Sequence, residues 1–137
     1  YEIPQMVAQG GGVIINTAST AGLIGYRTMG IYCASKHAVV GMTKSAALEN
    51  STKNVRVLAV CPGAIRTPMI DEFVGGNPEI EAAMNGLQPI GRMGKPQEIA
   101  NLVTWLCSDA ASFMTGAAIP IEGGAVSQCG FFPPNPE

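Results

Sequence analysis

Two short apolar stretches with a helix-length segment between them constrain the fold of this chain most strongly. Residues 13–15 and 55–60 are rich in β-branched side chains; the first run, Val-Ile-Ile, has no polar alternation, which is typical of strands covered on both faces. Residues 32–50 carry apolar side chains on more than one helical face. Strand, helix and strand in this order predict parallel neighbouring strands with a right-handed crossover, and therefore an α/β fold.

Further elements are indicated on both sides of this unit. Residues 1–9 look like the last turns of a helix, which a run of three glycines ends. Residues 68–91 contain prolines and glycines between short helical patterns, an arrangement typical of a lid over a site. A helix is predicted over 96–108 and a last strand within 115–124, where Pro120 indicates an edge position.

Composition excludes several classes of function. A length of 137 residues with 47% hydrophobic residues suits one domain with its own core. A net charge of −2 without a basic stripe argues against a nucleic-acid partner. No apolar run is long enough to span a membrane, and no signal-peptide pattern opens the sequence. The cysteines form no Cys-x-x-Cys pair, which predicts no metal site and reduced thiols in the cytoplasm; they are Cys33, Cys61, Cys107 and Cys129.

Three polar side chains are placed for proton chemistry. Ser19 follows the first predicted strand, at the strand end where open α/β sheets bind ligands. Tyr32 and Lys36 stand four residues apart in the following helix and share one of its faces. A phenol alone is a poor acid–base catalyst at neutral pH, but a nearby ammonium favours its ionised form. A Tyr-x-x-x-Lys pair also occurs by chance at an ordinary helix start, so the serine and the strand–loop–helix context strengthen the interpretation.

At this point the chain resembles the short-chain dehydrogenase/reductase family. Residues 16–22, Asn-Thr-Ala-Ser-Thr-Ala-Gly, look like the serine segment of that family, and residues 32–36, Tyr-Cys-Ala-Ser-Lys, look like its Tyr–Lys motif. The resemblance implies hydride transfer between NAD or NADP and a secondary alcohol or ketone. It implies that Tyr32 is the general acid/base, that Ser19 holds the substrate oxygen, and that Lys36 supports Tyr32 and binds the nicotinamide ribose.

The resemblance implies further contacts with cofactor and substrate. Residues 62–67 look like the family's Pro-Gly turn beside the nicotinamide, and residues 89–100 resemble another signature. The implied cofactor-binding residues are Tyr32, Lys36, Pro62, Gly63, Ile65 and Thr67. The lid and the serine segment would contact a small-molecule alcohol or ketone through Ser19, Thr20, Ala21, Tyr26, Gly63, Met69 and Phe73. The resemblance also implies association through helix 32–50 and the helix before it, in a homodimer or homotetramer.

The resemblance covers residues 1 to about 128 but only the carboxyl-terminal half of the family's fold. We therefore expect part of a doubly wound, Rossmann-like sheet with about three strands, followed by an irregular tail at 129–137. The glycines at 10–12 precede a strand instead of joining strand to helix, so no dinucleotide fingerprint is evident. Two accounts remain: the chain is part of an oxidoreductase and inactive by itself, or it is a non-catalytic dimerisation or binding module derived from that fold.

Overall fold

The computed structural model describes residues 1–127, which form a three-stranded parallel sheet with helices on both faces. The strands lie in the order β1-β2-β3. In chain order the elements are α1 (Glu2–Ala8), β1 (Gly12–Thr17), α2 (Gly30–Asn50), β2 (Val55–Pro62), α3 (Pro68–Val74), α4 (Pro78–Gly86), α5 (Pro96–Cys107) and β3 (Ala118–Ile121). The predicted α/β class and parallel sheet are confirmed. The predicted tail at 129–137 lies outside the described residues.

Alternation along β2 explains why helices cover both faces of the sheet. Val55 and Val57 point towards α2, where they are buried with Ala47. Leu58 and Val60 point to the opposite face, where they are buried around Leu106 of α5. Because successive side chains of a strand point to opposite faces, a strand that is apolar on both must be covered on both. The doubly wound arrangement is thus confirmed.

The two outer strands differ from β2 in burial. The side chains of β1 are mostly half-buried, because within residues 1–127 this strand pairs only with β2. The sequence predicted a strand covered on both faces here, and the exposure of β1 reflects its edge position. Pro120 lies in β3, the other edge, and is exposed, as its missing N–H predicted.

The register of the sheet places the loops after β1 and β2 next to each other, at the carboxyl-terminal ends of the strands. β1 and β2 pair from Gly12 with Val55 to Thr17 with Val60, so both strands end at the same side of the sheet. Ser19 follows one strand and Gly63 the other. Two predicted boundaries differ from the structure by two residues. β2 continues to Pro62 instead of ending at residue 60, and α2 begins at Gly30 instead of residue 32. Within residues 1–127, no helix is both long and apolar enough to cross a membrane.

Candidate active site

Ser19 caps a short 3₁₀ turn, Thr20–Gly22, directly after β1. Residues 19–22 are called the serine turn. Its backbone is extended, and its Oγ accepts a hydrogen bond from the N–H of Ala21 at 3.1 Å. This bond fixes the position of the oxygen and uses one of its acceptor sites. The hydroxyl proton is not used by it and remains available to a substrate oxygen.

Gly22 allows the turn to pack tightly against α2. An added Cβ would lie 2.8 Å from the carbonyl oxygen of Lys36 and 3.1 Å from a methyl group of Val40. A carbon atom so close to backbone oxygen requires the turn or the helix to shift. The absence of a side chain at Gly22 therefore places Ser19 beside the first turns of α2.

Tyr32 and Lys36 lie on the same face at the start of α2, as their spacing predicted. The Nζ of Lys36 lies 5.7 Å from the centroid of the Tyr32 ring. The same ammonium donates a hydrogen bond to the carbonyl oxygen of Thr17 at 3.3 Å, which ties it to the end of β1. Tyr32 is 42% exposed, so the residue is partly accessible to solvent.

A cavity of about 370 Å³ lies between the serine turn, the start of α2 and the two short helices α3 and α4. It contains all but one of the residues that the sequence assigned to substrate, since Met69 is exposed and does not line it. Met29 and Ala64 were missed, although Met29 stands three residues before Tyr32 and so shares its helix face. The lining residues are Ser19, Thr20, Ala21, Tyr26, Met29, Tyr32, Gly63, Ala64, Ile70, Phe73, Met84 and Leu87.

Hydrogen bonds hold Tyr26 on the wall of this cavity. Its hydroxyl lies 2.8 Å from the Oγ1 of Thr20, which is buried. Its backbone N–H donates to the Sγ of Cys33 in α2 at 3.4 Å. The loop that carries Tyr26 is thus anchored both to the turn after Ser19 and to α2.

A second thiol lies beneath Ser19. Burial raises the pKa of the Cys61 thiol, and a hydrogen bond from the backbone of Ser19 acts in the opposite direction. Because Cys61 is fully buried and its thiol stays neutral at physiological pH, it contributes a polarisable apolar contact. The structure therefore places an uncharged side chain, that of Cys61, beneath the serine turn.

Gln88 joins the segment 68–91 to the end of β2. It is only 3% exposed, and its Oε1 accepts the N–H of Ala64 at 2.9 Å. Its Nε2 donates to the carbonyl oxygens of Met84 at 3.3 Å and Arg92 at 3.2 Å. One buried amide thus satisfies three backbone groups, which fixes the segment by polar contacts.

Partly exposed ion pairs lie within and on either side of the segment 68–91. Arg66 pairs with Asp71 at 3.7 Å and also with Glu81. Arg92 donates two hydrogen bonds to Glu98, of 2.9 and 2.8 Å. These bonds, together with the N–H of Lys95, lower the pKa of Glu98 to about 2. Glu98 is thus ionised at any physiological pH.

The residues assigned to the cofactor occupy different surroundings. Gly63 lines the cavity, and an added Cβ there would lie 2.9 Å from the Cβ of Glu122, which is a packing reason for glycine at this position. Ile65 forms a bridge with Gly94 and lines a separate cavity of about 220 Å³. The hydroxyl of Thr67 accepts the N–H of Ile70 at 3.4 Å and so caps α3. Pro62 ends β2.

The described part of the chain contains no candidate metal site. No group of three or more histidine, cysteine and carboxylate side chains within residues 1–127 is placed to hold an ion. The described cysteines Cys33, Cys61 and Cys107 are free thiols. The polar groups that converge on the cavity are hydroxyls.

Comparison with known proteins gives this geometry a family. A family model described as "Enoyl-(Acyl carrier protein) reductase" matches residues 1–126. The chain belongs to the short-chain dehydrogenase/reductase family. Within this family, cyclohexanol dehydrogenase from Acinetobacter sp. (strain SE19) is 49% identical over 128 residues, which are 93% of this chain and 49% of that protein.

Solved structures of family members match the fold closely. The structure of ElxO with NADP bound aligns with a TM-score of 0.88 and 31% identity over 93% of this chain and 52% of that chain. 4-Hydroxyisoleucine dehydrogenase complexed with NADH aligns with a TM-score of 0.86 and 34% identity, with the same coverage. The chain spans about half the length of the curated relatives that it matches.

Proposed function

We propose that this short-chain dehydrogenase/reductase chain carries the acid–base site of an oxidoreductase that interconverts a secondary alcohol and its ketone with NAD or NADP. One observation carries the proposal: the side chains of Ser19 and Tyr32 line one cavity, and the ammonium of Lys36 lies beside the Tyr32 ring. Two hydroxyls and a nearby positive charge are the groups that proton transfer to a carbonyl oxygen requires.

The donor groups present fit a nicotinamide cofactor. An ammonium has three N–H donors, and the Thr17 carbonyl takes one from Lys36, so two remain for the hydroxyls of a ribose. Pro62 ends β2, Gly63 and Ile65 follow it, and the Thr67 hydroxyl proton is not used by its cap. We assign these residues to the cofactor. When bound, the nicotinamide supplies or accepts the hydride.

The chain's own residues handle the proton. In the oxidation direction, Tyr32 acts as the general base and takes the hydroxyl proton of the alcohol while the carbon loses hydride, and the new C=O bond forms. Ser19 donates a hydrogen bond to the oxygen throughout, which stabilises its partial negative charge. The ammonium of Lys36, 5.7 Å from the centre of the Tyr32 ring, stabilises negative charge on the Tyr32 oxygen during the transfer. Reduction of the ketone reverses each step.

Replacement of Tyr32 by phenylalanine tests the assignment. In the protein as its gene encodes it, Tyr32→Phe should lower kcat by about 10²- to 10⁴-fold, the usual contribution of a general acid–base group. Cofactor affinity, measured by fluorescence titration, should change little because only the hydroxyl is removed. Retained turnover in Tyr32→Phe would contradict the assignment.

Lys36→Met separates the two roles of the lysine. It removes the charge beside Tyr32 and the donors for the ribose, so both kcat and cofactor affinity should fall. Lys44→Met, on an exposed position of the same helix, should change neither. Loss of only one property would show that Lys36 does not serve both groups.

The second candidate is a dimerisation or binding module, which the surface of α2 favours. Ile31 is 91% exposed, and Met42 and Leu48 are also exposed on this helix. We propose that α2 forms a homodimer or homotetramer contact, whether or not the chain is catalytic. Ile31→Glu should reduce the mass measured by light scattering if the contact forms. An oligomer that binds no nicotinamide cofactor would favour the module over the enzyme.

The three described cysteines support a place in a reducing compartment. All three are free thiols, and Cys107 is exposed. Exposed thiols persist where glutathione and thioredoxin keep them reduced, so we propose the cytoplasm as the location. Fractionation of cells with detection of the protein tests this directly.

A further inference from the structure

We propose that the cavity selects an uncharged, largely apolar secondary alcohol or ketone and excludes molecules that carry a carboxylate or a phosphate. The inference deepens the proposed function and rests on it, because it assigns the cavity containing Ser19 and Tyr32 to the substrate. Three independent features of the cavity support it: the chemistry of its lining, the pairing of its hydroxyls and the charge of the segment above it.

The lining of the cavity contains no charged side chain among the described residues. Seven of its twelve residues are apolar, and the four polar side chains are all hydroxyls. Arg27 and Lys36 stand next to lining residues in sequence or on the helix, but neither lines the cavity. A carboxylate buried here would lose its hydration without gaining an ionic partner, which is among the most costly changes in a protein interior.

The hydroxyls of Thr20 and Tyr26, which are not assigned to catalysis, are hydrogen-bonded to each other. Thr20 is buried, and its hydroxyl bonds only to Tyr26 among the described residues. Either oxygen can be the donor of this bond, so one of the two hydroxyl protons is used by the pair and one remains. The wall thus offers at most one neutral donor beyond Ser19 and Tyr32, enough for a second neutral oxygen but not for an anion.

The segment above the cavity is acidic. Residues 66–91 carry four carboxylates against the guanidinium of Arg66, a formal net charge of −3, and contain no lysine. Arg66 is engaged by Asp71 and Glu81. Within residues 1–127, Glu72 and Glu79 form no salt bridge, so their charge is not neutralised by a partner and adds to the negative potential of this segment.

Paired ketones of one ring size test the selection. Cyclohexanone and 4-oxocyclohexanecarboxylate differ in the carboxylate, so kcat/KM of the protein as its gene encodes it should be at least about tenfold higher for the neutral ketone. Phe73 lines the cavity and is 65% exposed. Phe73→Arg places a cation at the mouth and should raise kcat/KM for the carboxylate. Phe113→Arg adds the same charge at a fully exposed site outside the cavity and should not.

A binding measurement separates this inference from the proposed function. Saturation-transfer NMR detects bound ketone without turnover, and the neutral ketone should give the stronger signal in both the natural protein and Tyr32→Phe. Equal or preferred binding and turnover of the carboxylate would overturn the selection and leave the oxidoreductase intact. Binding of cyclohexanone with no turnover, unaffected by Tyr32→Phe, would contradict the proposed function while the selection stands. Binding of neither ketone would overturn the selection.

Discussion

The sheet with α2 and α5 and the segment 68–91 are held together by different forces. Around β2, apolar side chains from both faces are almost completely buried, and Leu58 and Leu106 have no exposed surface. In the segment 68–91, Met69, Phe73 and Leu87 are exposed, and its position is fixed by Gln88 and by the ion pairs of Arg66. The first region is a packed apolar core. The second, the segment 68–91, is held in place by hydrogen bonds and ion pairs and is called the cover.

This difference separates two tasks within one site. The core positions Ser19, Tyr32 and Lys36, because β1, β2 and α2 are fixed by buried contacts. The cover supplies most of the apolar lining of the cavity through side chains that are only partly packed. Changes in the core should therefore alter the stability of the whole unit, whereas changes in the cover should alter the substrates accepted.

Leu58→Ala should have the largest effect on stability. Leu58 is fully buried in β2, so removal of its side chain leaves a cavity and should lower the free energy of unfolding by about 2–5 kcal/mol. Phe113→Ala, at a fully exposed position, is the control and should change it by less than about 0.5 kcal/mol. Chemical denaturation of both variants provides the measurement. Equal losses would mean that the core described for β2 does not carry the stability.

Gly22→Ala should have the next largest effect, and it acts where core and catalysis meet. The new Cβ would overlap the Lys36 carbonyl, so relaxation should cost about 1–3 kcal/mol of the free energy of unfolding. The shift moves Ser19 relative to Tyr32, so kcat should fall while cofactor affinity changes less. Gly41→Ala, in open space on the same helix as Lys36, should be neutral or stabilising. Unchanged kcat in Gly22→Ala would show that the serine turn tolerates displacement.

The sequence predicted the core better than the cover, for a physical reason. Residues 13–15 and, apart from Arg56, residues 55–60 are apolar on both faces, a pattern that favours a parallel strand covered on both faces. The spacing of Tyr32 and Lys36 is local, so one helix suffices to bring them together. Met29 was missed although its helical spacing from Tyr32 is a local signal that could have found it. Ala64 was missed, since its place in the cavity depends on how the cover packs over the sheet, which no local period encodes. The buried contacts of Gln88 carry no sequence signal for the same reason.

Gln88→Leu should have a moderate effect confined to the cover. The substitution keeps the size of the side chain but leaves the partners at Ala64, Met84 and Arg92 without their bonds, at a cost of about 1–3 kcal/mol. We expect faster proteolysis within 68–91 and a higher KM, with kcat changed less than in Gly22→Ala. Gln97→Leu, at an exposed position of α5, is the control. A lower kcat with unchanged KM would place Gln88 with the core.

The pH dependence of the Arg92–Glu98 pair should be the smallest effect, since the pair lies at the surface. The folded state lowers the pKa of Glu98 from 4.5 to about 2, mainly through hydrogen bonds from Arg92. A depressed pKa contributes stability above the unfolded value, and this contribution is lost as pH falls from about 4.5 towards 2. The Tm difference between the natural protein and Glu98→Gln should therefore be largest above pH 5 and shrink in that window, whereas Glu79→Gln, at an exposed position of α4, should show a smaller difference. A difference that stays constant down to pH 2 would mean that Glu98 acts through its neutral hydrogen bonds, and that this corner is held like the core instead of by charge.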